Sequence, residues 1–357
     1  MNKIYRKVPL YIFYTLLAYI PFHVFIATWL GSSTGQLETA KALKDILLVV
    51  GFVSVIACSS PSDIKYLIRN KIVIATVIYA LLSLAYVLIK NNEVDAEVLG
   101  YVYNIRFFVY FLYAVLLVKM HGDNIIRNAT KIVLISGIIV SLFGILQVFL
   151  LPENVLSHLG YSRASGTPPV FYISDETKAT ERAFSTLKDP NSLGSYLSII
   201  GALLFATLLN VKNKKNKILI KIMLLVVLLC LFLTHSRSAW LGAIGGLLAF
   251  VILSQRTKLT IQKHRKLFYG TLTALVLMIG VVGAFFYNTF IFQNYILHKG
   301  DNKPETSNSQ RLNNYKNALK LLEKNPYGYG VGSAGPVSYK NESKGIVIPE
   351  NYYLQIV

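Results

Sequence analysis

Charge is scarce in this chain. Of its 357 residues only 15% are Asp, Glu, Lys or Arg, against roughly 25% in an average soluble domain. Acids are rarer still, 17 against 36 Lys and Arg. Cysteine is nearly absent: Cys58 and Cys230 both lie in apolar runs with no second Cys or His at metal-ligand spacing, so they read as small hydrophobic residues. No glycine loop leads into Lys–Ser/Thr and no His–Glu–x–x–His helix occurs, so the common nucleotide-loop and zinc-hydrolase signatures are excluded. No internal repeat is visible. The glycines at 328, 330, 332 and 335 follow a helical segment rather than a strand, and read as a flexible turn region.

Apolar length is what the chain has in abundance. It is 54% hydrophobic, with a mean hydropathy of +0.50. A bilayer core needs roughly 20 apolar residues per helix, and such runs recur at 8–30, 42–58, 72–89, 98–118, 132–151, 191–210, 218–233, 238–254 and 267–292. They predict an all-α, polytopic membrane bundle of about nine complete transmembrane helices. Tyr352–Val357 reads as the start of a tenth, so the chain is expected to be cut short there. The first run is too long for the apolar region of a signal peptide and no small-residue cleavage site follows it. It reads as an uncleaved signal anchor.

Orientation follows from the basic residues. With the N-terminus inside, the segments 1–7, 59–71, 119–131, 211–222 and 255–266 are cytoplasmic, and hold 19 Lys/Arg against two acids, Asp63 and Asp123. The external connections carry 15 Lys/Arg and 14 acids; Lys44 and Asp45, at the edge of the second run, and Arg106, inside the fourth, complete the count. The net charge of +19 is thereby a topogenic signal and an attraction to the anionic inner leaflet, and no nucleic-acid function is needed to explain it.

Two connections are long. One is 152–190; the other, 293–350, carries an amphipathic segment with Ser307 or Ser309 as cap, an apolar stripe of Leu312, Tyr315, Leu319 and Leu322, and an Asn325–Pro326 stop. Long ordered loops are usually functional. The expected organisation is N-terminal helices over 1–151, an external loop over 152–190, central helices over 191–292, the large external loop over 293–350 and a further helix opening at 351–357. Gly242 and Gly246 have the spacing of close helix packing.

The residues that point to chemistry are charges at the outer face. Arg182 precedes the sixth run, Arg237 lies in the short turn Thr234–Ser238, Arg311 stands in the first turn of the surface helix, and Glu350 precedes the terminal apolar residues. Charge at that depth is costly unless it is paired or faces a polar cavity. One such arginine is readily a headgroup anchor; three beside an acid suit a pyrophosphate-bearing substrate, because guanidinium is a planar fork of donors that keeps its charge. The arginines would neutralise the leaving group and Glu350 would take a proton from an attacking hydroxyl. Arg106, in the outer half of its run, is a weaker candidate. His235 reads as a hydrogen-bonding turn residue.

At these residues the sequence resembles the O-antigen ligase and Wzy polymerase superfamily of bacterial glycan-assembly proteins. The segments Arg182–Ala183–Phe184–Ser185–Thr186 with Asp189–Pro190–Asn191, Ser236–Arg237–Ser238–Ala239–Trp240, and Gln310–Arg311 followed by Asn325–Pro326–Tyr327–Gly328–Tyr329–Gly330 resemble its motifs. Asn351–Tyr352–Tyr353–Leu354 is similar to its His–Asn–x–x–Leu, with Glu350 where the family has His. The resemblance implies a GT-C-type, metal-independent, inverting glycosyltransferase that needs no cofactor. It implies an undecaprenyl-pyrophosphate-linked oligosaccharide as donor and an acceptor glycan or lipid, joined at the external face of the cytoplasmic (inner) membrane. Carried over, Arg237 and Arg311 hold the pyrophosphate, Glu350 is the base, and Arg182, Asn191, Asn351 and Arg106 support substrate binding. A polymerase is the first reading, a ligase the second. A transporter or flippase is a third, disfavoured because only Arg106 is intramembrane and no repeated halves are seen.

Overall fold

The computed structural model describes residues 5–90, 94–174, 179–256, 307–326, 328–335 and 338. Eleven α-helices cover most of them: α1 (Val8–Tyr19), α2 (His23–Thr34), α3 (Leu37–Cys58), α4 (Pro61–Arg69), α5 (Lys71–Lys90), α6 (Val94–His121), α7 (Asn124–Phe149), α8 (Pro190–Asn210), α9 (Lys214–Leu233), α10 (Arg237–Arg256) and α11 (Ser307–Lys324). The protein is an all-α polytopic membrane protein. Among the described residues six helical segments are long and apolar enough to cross a bilayer: Tyr5–Thr34, Lys71–Leu88, Glu97–His121, Asn124–Phe149, Pro190–Asn210 and Lys214–Leu233. A seventh is counted if α3 and α4, bent by 114° against each other, form one span. The expected run 238–254 lies within α10. The run 267–292 and the segment 351–357 lie outside the described residues.

The first run is a broken helix. Pro21 sits in a 3-10 turn between α1 and α2, where the proline ring removes a backbone donor and crowds the preceding turn. The sharp bend after α3 has a local cause too. Ser60 and Asp63 form a capping box, with Pro61 opening α4, so a new helix starts as soon as the old one stops.

By contacts the chain divides into two units. One contains residues 5–10, 48–122 and those described from 307 onward. In it the Tyr113 hydroxyl donates to the Pro9 carbonyl, and a Cβ placed on Gly51 would meet that same Tyr113 ring at 2.6–2.8 Å, so only glycine fits there. Free Cys58 donates to the Tyr5 carbonyl at 3.4 Å.

The other unit contains residues 11–47 and 123–256. Its core is α7, α8, α9 and the start of α10, with Val140, Leu193, Leu197, Ile200, Leu204, Val227 and free Cys230 buried. One stripe of α7 is made of small or polar residues, Ser136, Gly137, Ser141, Gly144 and Gln147, and it is buried. Small residues let helices approach where lipid supplies no hydrophobic drive: a Cβ on Gly137 would strike Ile200, and one on Gly144 would lie 2.7 Å from Cys230 Sγ. The close approach of α8 to α10 is made by Gly194 against Ala239. At the expected packing glycines of α10, Gly242 and Gly246, a Cβ would meet nothing within 4 Å among the described residues.

Loop 152–190 is ordered in its described part. Tyr172–Ser174 pairs antiparallel with Ala179–Glu181, in the register Tyr172↔Glu181 and Ser174↔Ala179. Beneath it Tyr161, Phe171 and Phe184 pack with Phe25 and Phe143.

Candidate active site

The segment that follows the hairpin is nailed down residue by residue. Ala183 N–H donates to the Leu233 carbonyl at 2.9 Å. Phe184 and Ser185 N–H groups both donate to Gln147 Oε1, at 3.3 and 2.8 Å. Ser185 Oγ donates to the Val140 carbonyl at 2.7 Å, and Thr186 Oγ1 to the Pro21 carbonyl at 2.7 Å. All four residues are buried, and a buried donor without a partner costs about 1–3 kcal/mol. These bonds hold Ser185 at φ +55°, a left-handed conformation that costs a non-glycine residue roughly 1–2 kcal/mol.

That segment fixes Arg182. Its Nε donates to the Thr234 carbonyl at 3.0 Å and its Nη2 to Asn191 Oδ1 at 3.2 Å. One guanidinium therefore ties the start of α8 to the turn before α10. Both helix starts are built with care. Asp189 caps α8, its Oδ1 accepting from Asn191 and Ser192 N–H at 2.9 Å each and its Oδ2 from Ser192 Oγ at 2.8 Å, with Pro190 opening the helix. The turn into α10 is held by Thr234 Oγ1, which donates to the Leu231 carbonyl and accepts from Ser236 N–H. His235 there has φ +50°. It is a turn residue, with its ring 5.8 Å from Phe232 and 6.5 Å from Trp240. Trp240 Nε1 donates to the Leu231 carbonyl at 3.0 Å.

The outcome is a cradle. Two helix N-termini lie side by side, Gly194 allowing the approach, with half-buried Arg182 and Arg237 and exposed Asn191 at their heads. The helix dipole makes each N-terminus attractive to an anion, and Arg182 and Arg237 add formal charge at these helix starts; at α8 the first N–H groups are already taken by Asp189. Asp189 is engaged as a cap. Glu181, at the end of the hairpin, has its carboxyl raised to about 7 by burial and by neighbouring Glu153; Glu153 itself accepts from the Tyr172 hydroxyl at 2.9 Å.

Residues 222–357 match the model of the O-antigen ligase family, Wzy_C. This part of the chain is similar to that family. No curated protein and no solved structure gives a match. The matched segment contains Arg237, Arg311, Glu350 and Asn351. Arg182 and Asn191 lie upstream of it, and the Arg182–Thr234 bond ties them physically to it.

The remaining candidates stand in the other unit or outside the description. Arg106, half-buried on α6, has its guanidinium carbon 4.5 Å from the Tyr103 ring centre and 5.3 Å from that of Phe107. Arg311 is exposed and is the fifth residue of α11, one turn further in than expected, because the helix begins at Ser307. The apolar stripe of α11 faces outward at three of its four residues, with Leu322 half-buried. Leu312, Tyr315 and Leu319 are 52%, 40% and 37% exposed, whereas Ala318 is buried at 6%. The helix packs through the face of Asn314, Ala318 and Leu321, a quarter-turn or so from the stripe. After it the chain turns on Gly328, Gly330, Gly332 and Gly335, all at positive φ, and Gly332 rests against Gly100 of α6 so closely that a Cβ there would lie 2.7 Å from its nitrogen. Glu350 and Asn351 lie outside the described residues.

Gln147 is the residue that sequence reasoning missed. An amide inside an otherwise apolar run was visible at 132–151, and a polar group at that depth calls for a partner. Which partner it had, the backbone of a segment more than thirty residues later, only the fold could show.

Proposed function

We propose that the protein is a polysaccharide polymerase that joins undecaprenyl-pyrophosphate-linked repeat units at the external face of the cytoplasmic membrane. The observation that carries this reading is the cradle of two adjacent helix starts with Arg182 and Arg237 at their heads. It suits a pyrophosphate better than any uncharged ligand. In the reaction an acceptor hydroxyl attacks the sugar carbon bonded to the pyrophosphate, the carbon–oxygen bond to phosphate breaks, and the anomeric configuration inverts. Arg237 and Arg182 stabilise the departing pyrophosphate; Arg311 assists from the 293–350 loop. Glu350 accepts the proton from the hydroxyl, with Asn351 and Arg106 in substrate binding. Neither a metal nor a cofactor has a role in this scheme.

The description of the matching family favours a second reading, a ligase that moves a finished glycan to a lipid or protein acceptor. Glu350 in place of the motif histidine favours the polymerase. The test is the full-length protein in proteoliposomes with purified lipid-linked repeat units. Polymer ladders without any other acceptor mark a polymerase; a single transfer that needs an added acceptor marks a ligase. Glu350→Gln is expected to reduce turnover by about 10²–10⁴-fold, the usual worth of a general base, with donor binding retained. A wild-type rate in Glu350→Gln would remove Glu350 from the mechanism, and wild-type rates in both Arg237→Lys and Arg311→Lys would leave those arginines as lipid anchors.

A further inference from the structure

The exposed stripe of α11 has a use of its own. The helix is polar enough not to be a span, yet Leu312, Tyr315 and Leu319 face outward along one side while Asn314, Ala318 and Leu321 hold it to its unit. On the far side of the stripe come Lys316, Lys320 and Lys324, successive at a spacing of four and all exposed, so they form a basic row with one acid, Glu323, beside it. An apolar strip edged by lysines on one helix is the pattern of a helix lying in a bilayer interface, its aliphatic side in the acyl boundary and its amines at phosphate level.

A second observation sets the height. The glycine turn that follows α11 touches α6 at Gly100, and Gly100 is in the first turn of the span Glu97–His121. The C-terminal end of α11 is thereby tied to the place where a transmembrane helix meets the membrane boundary. We propose that α11 lies flat on the outer boundary of the bilayer, docked on acidic phospholipid headgroups through Lys316, Lys320 and Lys324, with Leu312, Tyr315 and Leu319 immersed. The helix, about 27 Å long at 1.5 Å per residue, spans several headgroups. The docking rests on the membrane fold alone. It also gives the large external loop a fixed depth, at the level where the pyrophosphate of a membrane-borne donor travels.

The test is a depth measurement that needs no turnover. In the full-length protein with Cys58→Ser and Cys230→Ala, a cysteine replaces Leu319 or, on the face away from the stripe, Asn317, and each carries an environment-sensitive fluorophore. The proteins are reconstituted in phosphatidylcholine vesicles with and without phosphatidylglycerol. Quenching by nitroxide-labelled lipid at 319 and not at 317, stronger with phosphatidylglycerol and weakened by salt or by Lys316→Gln with Lys320→Gln, supports the proposal. Quenching of both labels by aqueous iodide alone overturns it. Shielding of 319 from iodide without lipid quenching also overturns it, since another protein surface then covers the stripe. Where replacing the native cysteines prevents folding, Leu319→Trp with brominated lipid gives the same readout. Lipid contact at 319 in a protein that transfers no glycan sinks the polymerase reading and leaves the docking intact.

Discussion

The segment around Arg182 and the helix that carries Arg311 present the same side chain in opposite ways. Arg182 is held by its own side-chain bonds to Thr234 and Asn191 and by a backbone whose donors end on Gln147, Val140, Pro21 and Leu233. Arg311 stands exposed on a helix that meets its unit along one narrow face centred on Ala318. A charge that must receive a leaving group gains from a rigid mount, because preorganised donors do not have to reorient during reaction. A loop that must admit a large glycan gains from a shallow one. The lesson is that the two arginines are not equivalent parts, even though sequence motifs offer them as a pair.

Breaking the deep mount produces the largest effect. Gln147→Leu leaves the Phe184 and Ser185 donors buried without an acceptor, at about 1–3 kcal/mol each. A marked drop in the thermal midpoint of the purified protein is expected, with the chain around 183–186 losing protection from hydrogen exchange. Unchanged stability would mean that water replaces the amide and that the mount is softer than described. Arg182→Lys comes next. It keeps the charge but not the fork, so one of the bonds to Thr234 and Asn191 is lost; hydrogen bonds of charged groups contribute about 1.5–3 kcal/mol. A tenfold or greater fall in turnover, about 1.4 kcal/mol per factor of ten, is expected together with modest destabilisation.

Asp189→Ala removes the cap of α8 and is expected to cost about 1 kcal/mol. Leu319→Ser on the exposed stripe of α11, measured in detergent where no bilayer is present, is expected to cost less than any of these. A larger cost for Leu319→Ser than for Asp189→Ala would reverse the comparison.

The smallest effect is a slope with pH. The Glu181 carboxyl lies near 7, against 4.5 for an unperturbed group. The folded state thus binds a proton that the unfolded state has released, and stability falls as pH rises through that window. The contribution is complete below about 4.5 and is lost as pH passes about 7. Once the intrinsic base catalysis of exchange is divided out, amide protection at 172–174 and 179–181 should fall between pH 5 and 8 in the wild type and stay constant in Glu181→Gln.

The sequence made the bundle legible because apolar length and lysine placement are local signals. The membrane spans could be read within a few residues at Pro190–Asn210 and Lys214–Leu233, while Asn124–Phe149 begins eight residues before the apolar run at 132. Arg182, Asn191 and Arg237 could be picked out as charged or polar groups at the ends of such runs. That Arg182 would bond Asn191 and the carbonyl of Thr234 was not legible, since it depends on a fold that brings residue 182 back against residue 234. Periodicity at α11 revealed an apolar stripe but not which side of the helix is buried, and the buried residue is the small Ala318. In a chain that lives beside lipid, an apolar stripe has a second solvent available, so hydrophobicity alone does not tell burial in protein from exposure to the bilayer. Likewise Gly242 and Gly246 matched a packing spacing for which the described residues offer no partner.

The bend after α3 has a consequence for biogenesis. Glu38, Lys41, Lys44 and Asp45 load the first turns of α3 with charge, pairing as Lys41–Glu38 and Lys44–Asp45 at 3.0 Å. Within α3 only the stretch 46–58 is free of charge, well short of the roughly 20 residues that insert unaided. As the nascent chain leaves the translocon, α3 is a marginal passenger that enters lipid when later helices offer it a surface. A reporter fused within 59–71 on a truncated chain and the same reporter inserted there in the full-length protein would then disagree about which side of the membrane they see.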